Sequence, residues 1–535
     1  MPVRAGSCSF VERIRRLSQW AVLEGTPEVK QTHISVVLIG RDHVLKLKKP
    51  VDLGFLDYTT MEKRRRACSD EVRLNRRLCP SVYLGVRAIV DDGSGIRLIE
   101  EPGANANILD YGVWMKRLPE EGMLERLVAE GSVTHRCIRA IAGRLAEFHK
   151  TARREADVLR WGLPDAIAWN WRENFEQTER FVGRTIDRGV RDAIRSWVEG
   201  WMAANRDLLL ERVSKGCVVD GHGDVRCESI CIGEDIYIFD CVEFNDRFRC
   251  GDVSSETAFL AADLDSRGRP DLGYFFTREY EALSGDGELW KLLPFYRCYR
   301  AFVRGKVSCF VSADEAFPAA RREAASRRAA RHFDLARRYA SPLQSRVLMA
   351  VGGLSGTGKT SLARAVAGEL GLEAVSSDSV RHELFGEEKA PAAFGTGVYG
   401  DECTARTYRE MISRARRLLQ QGRGVVLDAT FLQPEFRRLA MAAAADEGAL
   451  WRFVECRLDA ATVRRRMAER ATQGDSESDA TFEIHQRQRE LAGSGSASGD
   501  GGDHSMVADT GGELWQYAHR VSDWLRQRTD RFAVS

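Results

Sequence analysis

Gly353-Leu-Ser-Gly-Thr-Gly358-Lys359-Thr360 lies between an apolar run, Val347–Val351, and a stretch of helical character, Thr360–Leu370 (TSLARAVAGEL). The octapeptide fits GxxxxGK[ST], and its setting, strand before and helix after, is the one this motif requires. Glycines let successive backbone N–H groups turn inward around a phosphate. The helix N-terminus adds a partial positive charge. Gly353, Ser355, Gly356, Thr357, Gly358 and Ser361 therefore form a candidate ATP cradle. Lys359 is placed to reach the β- and γ-phosphates, and the Thr360 hydroxyl to ligate Mg²⁺. The same strand–loop–helix reading predicts an α/β P-loop region with a parallel sheet.

Two acidic positions follow at the ends of further short strands. Val425-Val-Leu-Asp428 ends on a carboxylate suited to a Mg²⁺ shell, since ligand groups of such sheets sit at the carboxyl ends of strands; a strand-end cap is the other reading. Asp378 closes Ala374-Val-Ser-Ser-Asp378 and is a candidate general base for an acceptor hydroxyl, or an N-cap for the helix that begins there. Further on, AATVRRRMAERA (460–471) places Arg466 and Arg470 four residues apart on one helix face, with Arg464 nearby. Such arginines can close over a transferring phosphoryl group, and the Gly/Ser-rich run 493–503 beyond them fits a moving lid. A last helix is expected over Leu514–Gln527.

The N-terminal half carries a second constellation. Asp220-Gly-His222-Gly-Asp224-Val-Arg226-Cys-Glu-Ser229 is followed by the apolar run Asp235–Asp240. Two short strands joined by a turn would aim two carboxylates at one point, as phosphoryl transfer needs: Asp224 at the acceptor hydroxyl and Asp240 on the metal. A surface hairpin with turn aspartates is the plainer alternative. Upstream, His43-Val-Leu-Lys46-Leu-Lys48 alternates as a strand, and MEKRRRACSDEVRLNRRL (61–78) reads as a charged helix. Lys46 or Lys48 is placed to hold phosphates, with Glu71 as partner of Lys46 or of its own helix neighbour Asn75. Trp161, Trp169 and Trp171 either stack on a ligand or fill a core.

The chain has 535 residues, which predicts two to four domains. Hydrophobic residues make up 44% and charged residues 30%, which excludes disorder throughout. The formal net charge of +2 argues against a general polyanion binder. No run of about 18 apolar residues is present, the first twenty residues lack the apolar core of a secretory signal, and the 13 cysteines are scattered without a paired CxxC. A cytoplasmic protein without membrane span or zinc site is expected. An arginine- and alanine-rich helix, 321–340, stops at Ser341-Pro342. The boundary is placed there: 1–342 as one domain with its linker helix, 343–535 as the second. The helix's arginines either face a phosphate backbone or are simply solvated.

Residues 346–490 resemble small P-loop kinases of the zeta-toxin, gluconate-kinase and polynucleotide-kinase type, often described as AAA-type ATP-binding domains. The matching pieces are GLSGTGKTS, SSDSVRHEL, VVLDATF with Arg437 downstream, and RRRMAER followed by Ser478-Asp479-Ala480. This resemblance implies Asp378 as base or acceptor contact and Arg466 and Arg470 as lid arginines. Residues 30–330 resemble the aminoglycoside phosphotransferase-like branch of the bilobal, α+β protein-kinase fold, through HVLKLKKPVDLGFLDY, CSDEVRLNRRLCPSVYLGV, DGHGDVRCESI and IFDCVEFNDRF. That resemblance implies Lys46 as phosphate lysine, Glu71 as its partner, Asp224 as catalytic aspartate and Asp240 as metal aspartate. Ser229 stands where the family carries a metal-binding asparagine, and Cys241 where it carries glycine. The whole resembles bacterial bifunctional aminoglycoside phosphotransferase/ATP-binding proteins. It implies an ATP- and Mg²⁺-dependent transfer of the γ-phosphate to a hydroxyl of a small molecule. The alternatives are an ATP-binding regulatory protein with a degenerate N-terminal lobe and a polynucleotide 5′-hydroxyl kinase.

Overall fold

The computed structural model describes residues 27–54, 56–93, 95–341, 343, 345–386, 400–473, 482–493 and 504–529. The chain forms two compact units. One comprises residues up to 133 with 144–169 and 205–256. The other comprises 134–143, 170–204 and 257 onward.

In the first unit an antiparallel sheet is built from β1 (Glu28–Gln31), β2 (Ser35–Ile39), β3 (His43–Lys48), β4 (Tyr83–Asp91), β5 (Ile96–Ile99) and β6 (Ile108–Lys116), in the order β1-β2-β3-β6-β4-β5. Period-two alternation sorts β3: Leu45 and Leu47 enter an apolar cluster with Val36, Leu38 and Ile89, which leaves Lys46 and Lys48 on the opposite face. Helix α1 (Met61–Asn75) is capped by the Thr60 side chain, which accepts from the Lys63 amide, and it packs on β4 and β6. Beyond the sheet, β7 (Val218–Asp220) pairs with β10 (Cys250–Asp252), and β8 (Ile230–Ile232) pairs with β9 (Ile236–Ile238). The sequence reading of one hairpin carrying both aspartates is thus corrected. The strand before His222 pairs with β10, and β9, which leads to Asp240, pairs with β8. Three-residue strands have too little pattern to fix a partner from sequence, and register is weakly specified where a strand is this short.

The second unit holds a five-stranded parallel sheet of β11 (Val347–Gly352), β12 (Glu373–Ser376), β13 (Val425–Asp428), β14 (Leu450–Arg457) and β15 (Ser505–Asp509), in the order β12-β13-β11-β14-β15. The apolar run of β11 is buried on both faces, as parallel sheets demand. Val347, Met349 and Val351 join one core and Leu348 and Ala350 the other. Around it lie α2 (Pro270–Ser284), α3 (Leu289–Ala313), α4 (Ala319–Tyr339), α5 (Lys359–Leu370), α6 (Ser377–Phe385), α7 (Asp401–Gln420), α8 (Pro434–Asp446), α9 (Ala460–Gln473), α10 (Phe482–Gly493) and α11 (Leu514–Thr529). No helix among the described residues is long and apolar enough to cross a membrane.

The arginine-rich helix α4 is amphipathic. Ala325, Ala329, Phe333 and Ala336 are buried, while Arg327 pairs with Glu323 and Arg337 with Asp334. Helices α2 to α4 belong to the same compact unit as the P-loop sheet. Tyr274 of α2 lies in the core beneath α5, and its hydroxyl accepts from the Ala374 amide at 2.9 Å. Arg297 of α3 donates to the Gly368 carbonyl at 2.8 Å, and Arg338 pairs with Glu369 at 3.2 Å. Asp265 lies under this contact, held by the Tyr339 hydroxyl and by Arg297 at 3.5 Å.

Burial pushes the Asp265 carboxyl up to about 6, against the pull of Arg297. The folded chain therefore binds this proton more tightly than the unfolded chain, whose carboxyl titrates near 3.8. Stability from this group is full below about pH 4 and is lost as pH rises to about 6, by about 3 kcal/mol. Asp265→Asn should flatten that part of the stability profile, as denaturant unfolding at a series of pH values would show.

Candidate active sites

Both candidate sites are built where the backbone must leave regular structure. In the N-terminal unit the alternation of β3 aims Lys46 and Lys48 at Glu71, whose side chain has no exposed surface. Lys46 Nζ lies 2.8 Å from Glu71 Oε1 and 2.6 Å from Asp240 Oδ1. Lys48 Nζ lies 2.5 Å from Glu71 Oε2 and also pairs with Glu243, which accepts from the Tyr58 hydroxyl at 2.9 Å. The structure thus brings Lys46, Glu71 and Asp240 together and adds Lys48, Glu243 and Tyr58. Burial works against the Lys46 charge, but Asp240 and Glu71 outweigh it and hold the ammonium above its ordinary range. In return the Lys46 charge draws the exposed Asp240 carboxyl down to about 2. Asp240 itself adopts a left-handed backbone with φ 64°, a conformation that costs a non-glycine residue energy and marks functional turns. The next residue, Cys241, anchors it by donating its amide to Asn75 Oδ1 at 2.9 Å.

The loop 221–229 is gripped from below by Glu256. This buried carboxylate accepts from the His222 amide at 2.5 Å, from the Gly223 amide, and from His149 Nε2 at 2.8 Å. A Cβ on Gly221 would lie 2.6 Å from Glu256 Oε1, so that position has no room for a side chain. The His222 ring donates Nε2 to the Phe239 carbonyl at 3.0 Å, and its Nδ1 accepts from the Asp224 amide at 3.3 Å. The charges of Asp224 and Asp240 both act on His222. Asp224 is held by Arg226 in a two-pronged pair, at 2.8 Å to Oδ1 and 2.9 Å to Oδ2. Ser229 is buried, with its hydroxyl donating to the Asp224 carbonyl at 2.8 Å and accepting from the Arg226 amide at 3.0 Å. Its hydroxyl braces the loop. Of the three tryptophans, Trp171 fills a core of Phe175, Tyr299 and Phe302. Trp161 packs beside Val158 and Val218. Trp169 is exposed, with the Arg247 guanidinium 4.3 Å above its ring.

In the second unit β11 delivers the chain to the loop 353–358 at the carboxyl edge of the sheet. Gly353 and Gly356 have φ of 130° and 81°. A Cβ would lie 2.5 Å from the Cys456 carbonyl at the first and 2.6 Å from Met467 Cε at the second, so both conformation and space require glycine. Gly358 opens α5, on which Lys359, Thr360 and Ser361 form the first turn. Lys359 Nζ donates to the Leu354 carbonyl at 2.9 Å, folded over its own loop. Thr360 lies near Asp428, which is buried at the end of β13. Burial pushes the Asp428 carboxyl up, and the nearby Asp378 charge adds to this; Lys359 and Thr360 pull it back. Lys359, Thr360, Asp378 and Asp428 therefore share one edge of the sheet. The N-cap of α6 is Ser376, whose side chain accepts from the Asp378 amide at 3.3 Å; the Asp378 carboxylate pairs with Arg381 at 3.1 Å. The capping alternative for Asp378 thus passes to Ser376.

Arg466 lies over the loop: its Nη2 donates to the Thr510 carbonyl at 2.9 Å, and its Nη1 is 3.8 Å from where a Gly358 Cβ would stand. The side chain of Arg470 and residues Ser478–Ala480 lie outside the described residues, as does most of 493–503. Three contacts had no signal in the sequence. The Ser355 amide donates to Gln488 Oε1 and its carbonyl accepts from His485 Nδ1, both at 2.8 Å, and Thr510 Oγ1 donates to the Thr357 carbonyl at 2.7 Å. These partners stand more than 120 residues from the loop. In the N-terminal unit, Arg226 was detectable as an opposite charge two residues from Asp224, and Lys48 by its alternation with Lys46.

A parallel sheet in the order β12-β13-β11-β14-β15, a glycine loop after its central strand and a Thr–Asp pair at its edge define a P-loop domain. The AAA domain family matches residues 348–493. Over 465 residues the chain is 34% identical to the uncharacterized protein Rv2004c of Mycobacterium tuberculosis, spanning 85% of this chain and 88% of that one. The same figures hold for the uncharacterized protein Mb2027c of Mycobacterium bovis. The chain belongs to the family of these mycobacterial proteins. Among solved structures, a gluconokinase from Sinorhizobium meliloti matches with 18% identity and TM-score 0.27, over 35% of this chain and 96% of its own. A choline/ethanolamine kinase family protein from Mesorhizobium loti matches with 12% identity and TM-score 0.36, over 61% of this chain and 99% of its own.

Glu256 sets a stability prediction. Burial opposes its charge, but the bond from His149 and the backbone amides draws its carboxyl down to about 2 from an ordinary 4.5. Its contribution is full above about pH 4.5 and fades as pH falls toward 2. Glu256→Ala removes one side of a buried pair and should cost about 3–5 kcal/mol at pH 7, with the loss shrinking in acid. Unfolding curves at pH 7 and pH 3 check both statements.

Proposed function

We propose that this chain is an ATP- and Mg²⁺-dependent phosphotransferase that moves the ATP γ-phosphate to a hydroxyl of a small molecule, with two nucleotide-binding modules. The observation that carries this reading is the convergence of Lys359, Thr360, Asp378 and Asp428 beside the glycine loop. The loop amides and Lys359 bind the phosphates, and the N-terminus of α5 favours their charge. Arg466 stands over Gly358, where it neutralises charge that develops during transfer. Asp378 takes the proton of the acceptor hydroxyl. That oxygen bonds to the γ-phosphorus as the bond to the β–γ bridging oxygen breaks, and ADP leaves. Thr360 and Asp428 fit a magnesium ion, a hydroxyl beside a carboxylate at one edge of the sheet, and would hold it. When bound, the ion supplies neutralisation of phosphate charge.

In the N-terminal module Lys46 and Glu71 would hold nucleotide phosphates and Asp240 the metal, with Asp224 at the acceptor. Arg226 on both Asp224 oxygens, together with the Ser229 hydroxyl committed to the loop, favours a second reading for this module: it binds nucleotide as a signal and transfers phosphate slowly or not at all.

With γ-labelled ATP and a panel of hydroxyl acceptors, Lys359→Ala should lower phosphoryl transfer about 10²–10³-fold. Asp378→Asn should lower it about 10²–10⁴-fold with ATP affinity retained. Asp224→Ala separates the two readings of the N-terminal module: a comparable fall makes it a working kinase, and no change makes it a binding module. Undiminished turnover in both Lys359→Ala and Asp224→Ala would sink the enzyme reading.

A further inference from the structure

Arg437 sits in the first turn of α8 with 8% of its surface exposed. Its guanidinium lies 5.2 Å from the centre of the Phe453 ring. It makes no hydrogen bond or ion pair with any described residue, and its buried Nε is without an acceptor among them. Several other buried arginines are met by carboxylates, as Arg212 is by Asp252, Arg338 by Glu369 and Arg381 by Asp378, and the buried Arg452 donates to the Trp451 carbonyl. A buried cation without a counter-charge is costly, and the cost is relieved if a ligand brings the missing anion.

The surroundings place that anion at the P-loop edge of the sheet. Phe453, under the guanidinium, abuts Gly352, the residue that leads into the glycine loop: a Cβ on Gly352 would lie 2.7 Å from Phe453 Cζ. The segment joining β13 to α8 is strained, with Phe431 at φ 48°. It is pinned by Tyr408, whose hydroxyl accepts from the Phe431 amide at 2.9 Å and meets Thr430 Oγ1 at 3.3 Å. Tyr408 also stacks on Phe436 at 4.0 Å, next to Arg437 in the chain. The first turn of α8 adds its own positive end. These elements follow β13, beside β12 and Asp378. Arg466 and Thr510, which stand over the loop, come from the β14 and β15 side.

We propose that Arg437 anchors an oxyanion subsite for the acceptor, so that the molecule phosphorylated at the P-loop site carries a phosphate or carboxylate besides its reacting hydroxyl. This rests on the P-loop kinase reading above and narrows its substrate class: a polycationic acceptor would bring the wrong charge to Arg437.

The test titrates inorganic phosphate into the full chain saturated with Mg²⁺ and a non-hydrolysable ATP analogue, so that the γ-phosphate position is already filled. The expected result is saturable binding by calorimetry, weakened at least tenfold in Arg437→Gln with affinity for the analogue unchanged, and weakened less in Arg437→Lys, which keeps the charge. Equal phosphate binding in the parent and Arg437→Gln, or none in either, overturns the subsite. Arginine-dependent binding seen only when ADP replaces the analogue assigns Arg437 to the transferred phosphate and overturns the acceptor assignment. Failure of the parent chain to bind the analogue strikes the nucleotide reading itself, which this first titration shows separately. Should Arg437→Gln unfold, the charge-keeping Arg437→Lys carries the comparison: its binding must remain measurable, and loss of phosphate binding there with folding intact also overturns the subsite.

Discussion

A carboxylate taken out of water must be met by a cation or by donors, and that constraint organises both candidate sites. Asp428 is buried at the end of β13 because the parallel sheet is covered on both faces. Its charge is tolerable only with Lys359 and the Thr360 hydroxyl beside it. These two residues are there because three glycines let the chain double back from β11 into α5. The loop, the helix start and the strand end therefore depend on one another. A change in any of them alters the electrostatics of the other two.

The same constraint explains how much was legible in the sequence. Strand β11, helix α5 and strand β13 could be read to within a residue or two, because each is a local pattern: an unbroken apolar run, a glycine-punctuated turn, a helical period. Strand alternation singled out Lys46 and Lys48 without choosing between them, and Asp240 stood at the end of an apolar run; the resemblance to the kinase fold then implied Lys46, Glu71 and Asp240 as a set. The pairing of β7 with β10 could not be read, since three-residue strands carry no usable period. Nor could the grip of Glu256 on His222 and Gly223, or of His485 and Gln488 on Ser355. Those contacts join residues over 30 and over 120 positions apart through geometry that only the folded chain supplies. What was hidden was mostly the support beneath the candidate site residues.

Helices α2 to α4 show a different aspect of the same balance. They meet the P-loop sheet through polar groups as much as apolar ones. Tyr274 enters the core but offers its hydroxyl to the Ala374 amide, and Glu369 of α5 receives both Arg338 and Arg526. Charged pairs at such a contact define orientation more than they add stability, because desolvation consumes much of their attraction. Asp265 makes the point in reverse. Its Oδ1 has no hydrogen-bond partner among the described residues, and the carboxyl responds by holding its proton to higher pH.

The two sites also differ in how their charges are compensated. In the N-terminal module each key carboxylate already has an internal cation: Asp240 has Lys46, Glu71 has Lys46 and Lys48, and Asp224 has Arg226. A ligand arriving there must compete with ion pairs that are already made, Lys46 on Asp240 among them. At the P-loop edge the carboxylates are compensated too: Asp378 has Arg381, and the buried Asp428 has Lys359 near it. The difference lies in Arg437, which rests on an aromatic face. A ring quadrupole does not match a full negative charge. An anion arriving beside Arg437 therefore meets a cation that has no carboxylate to give up among the described residues.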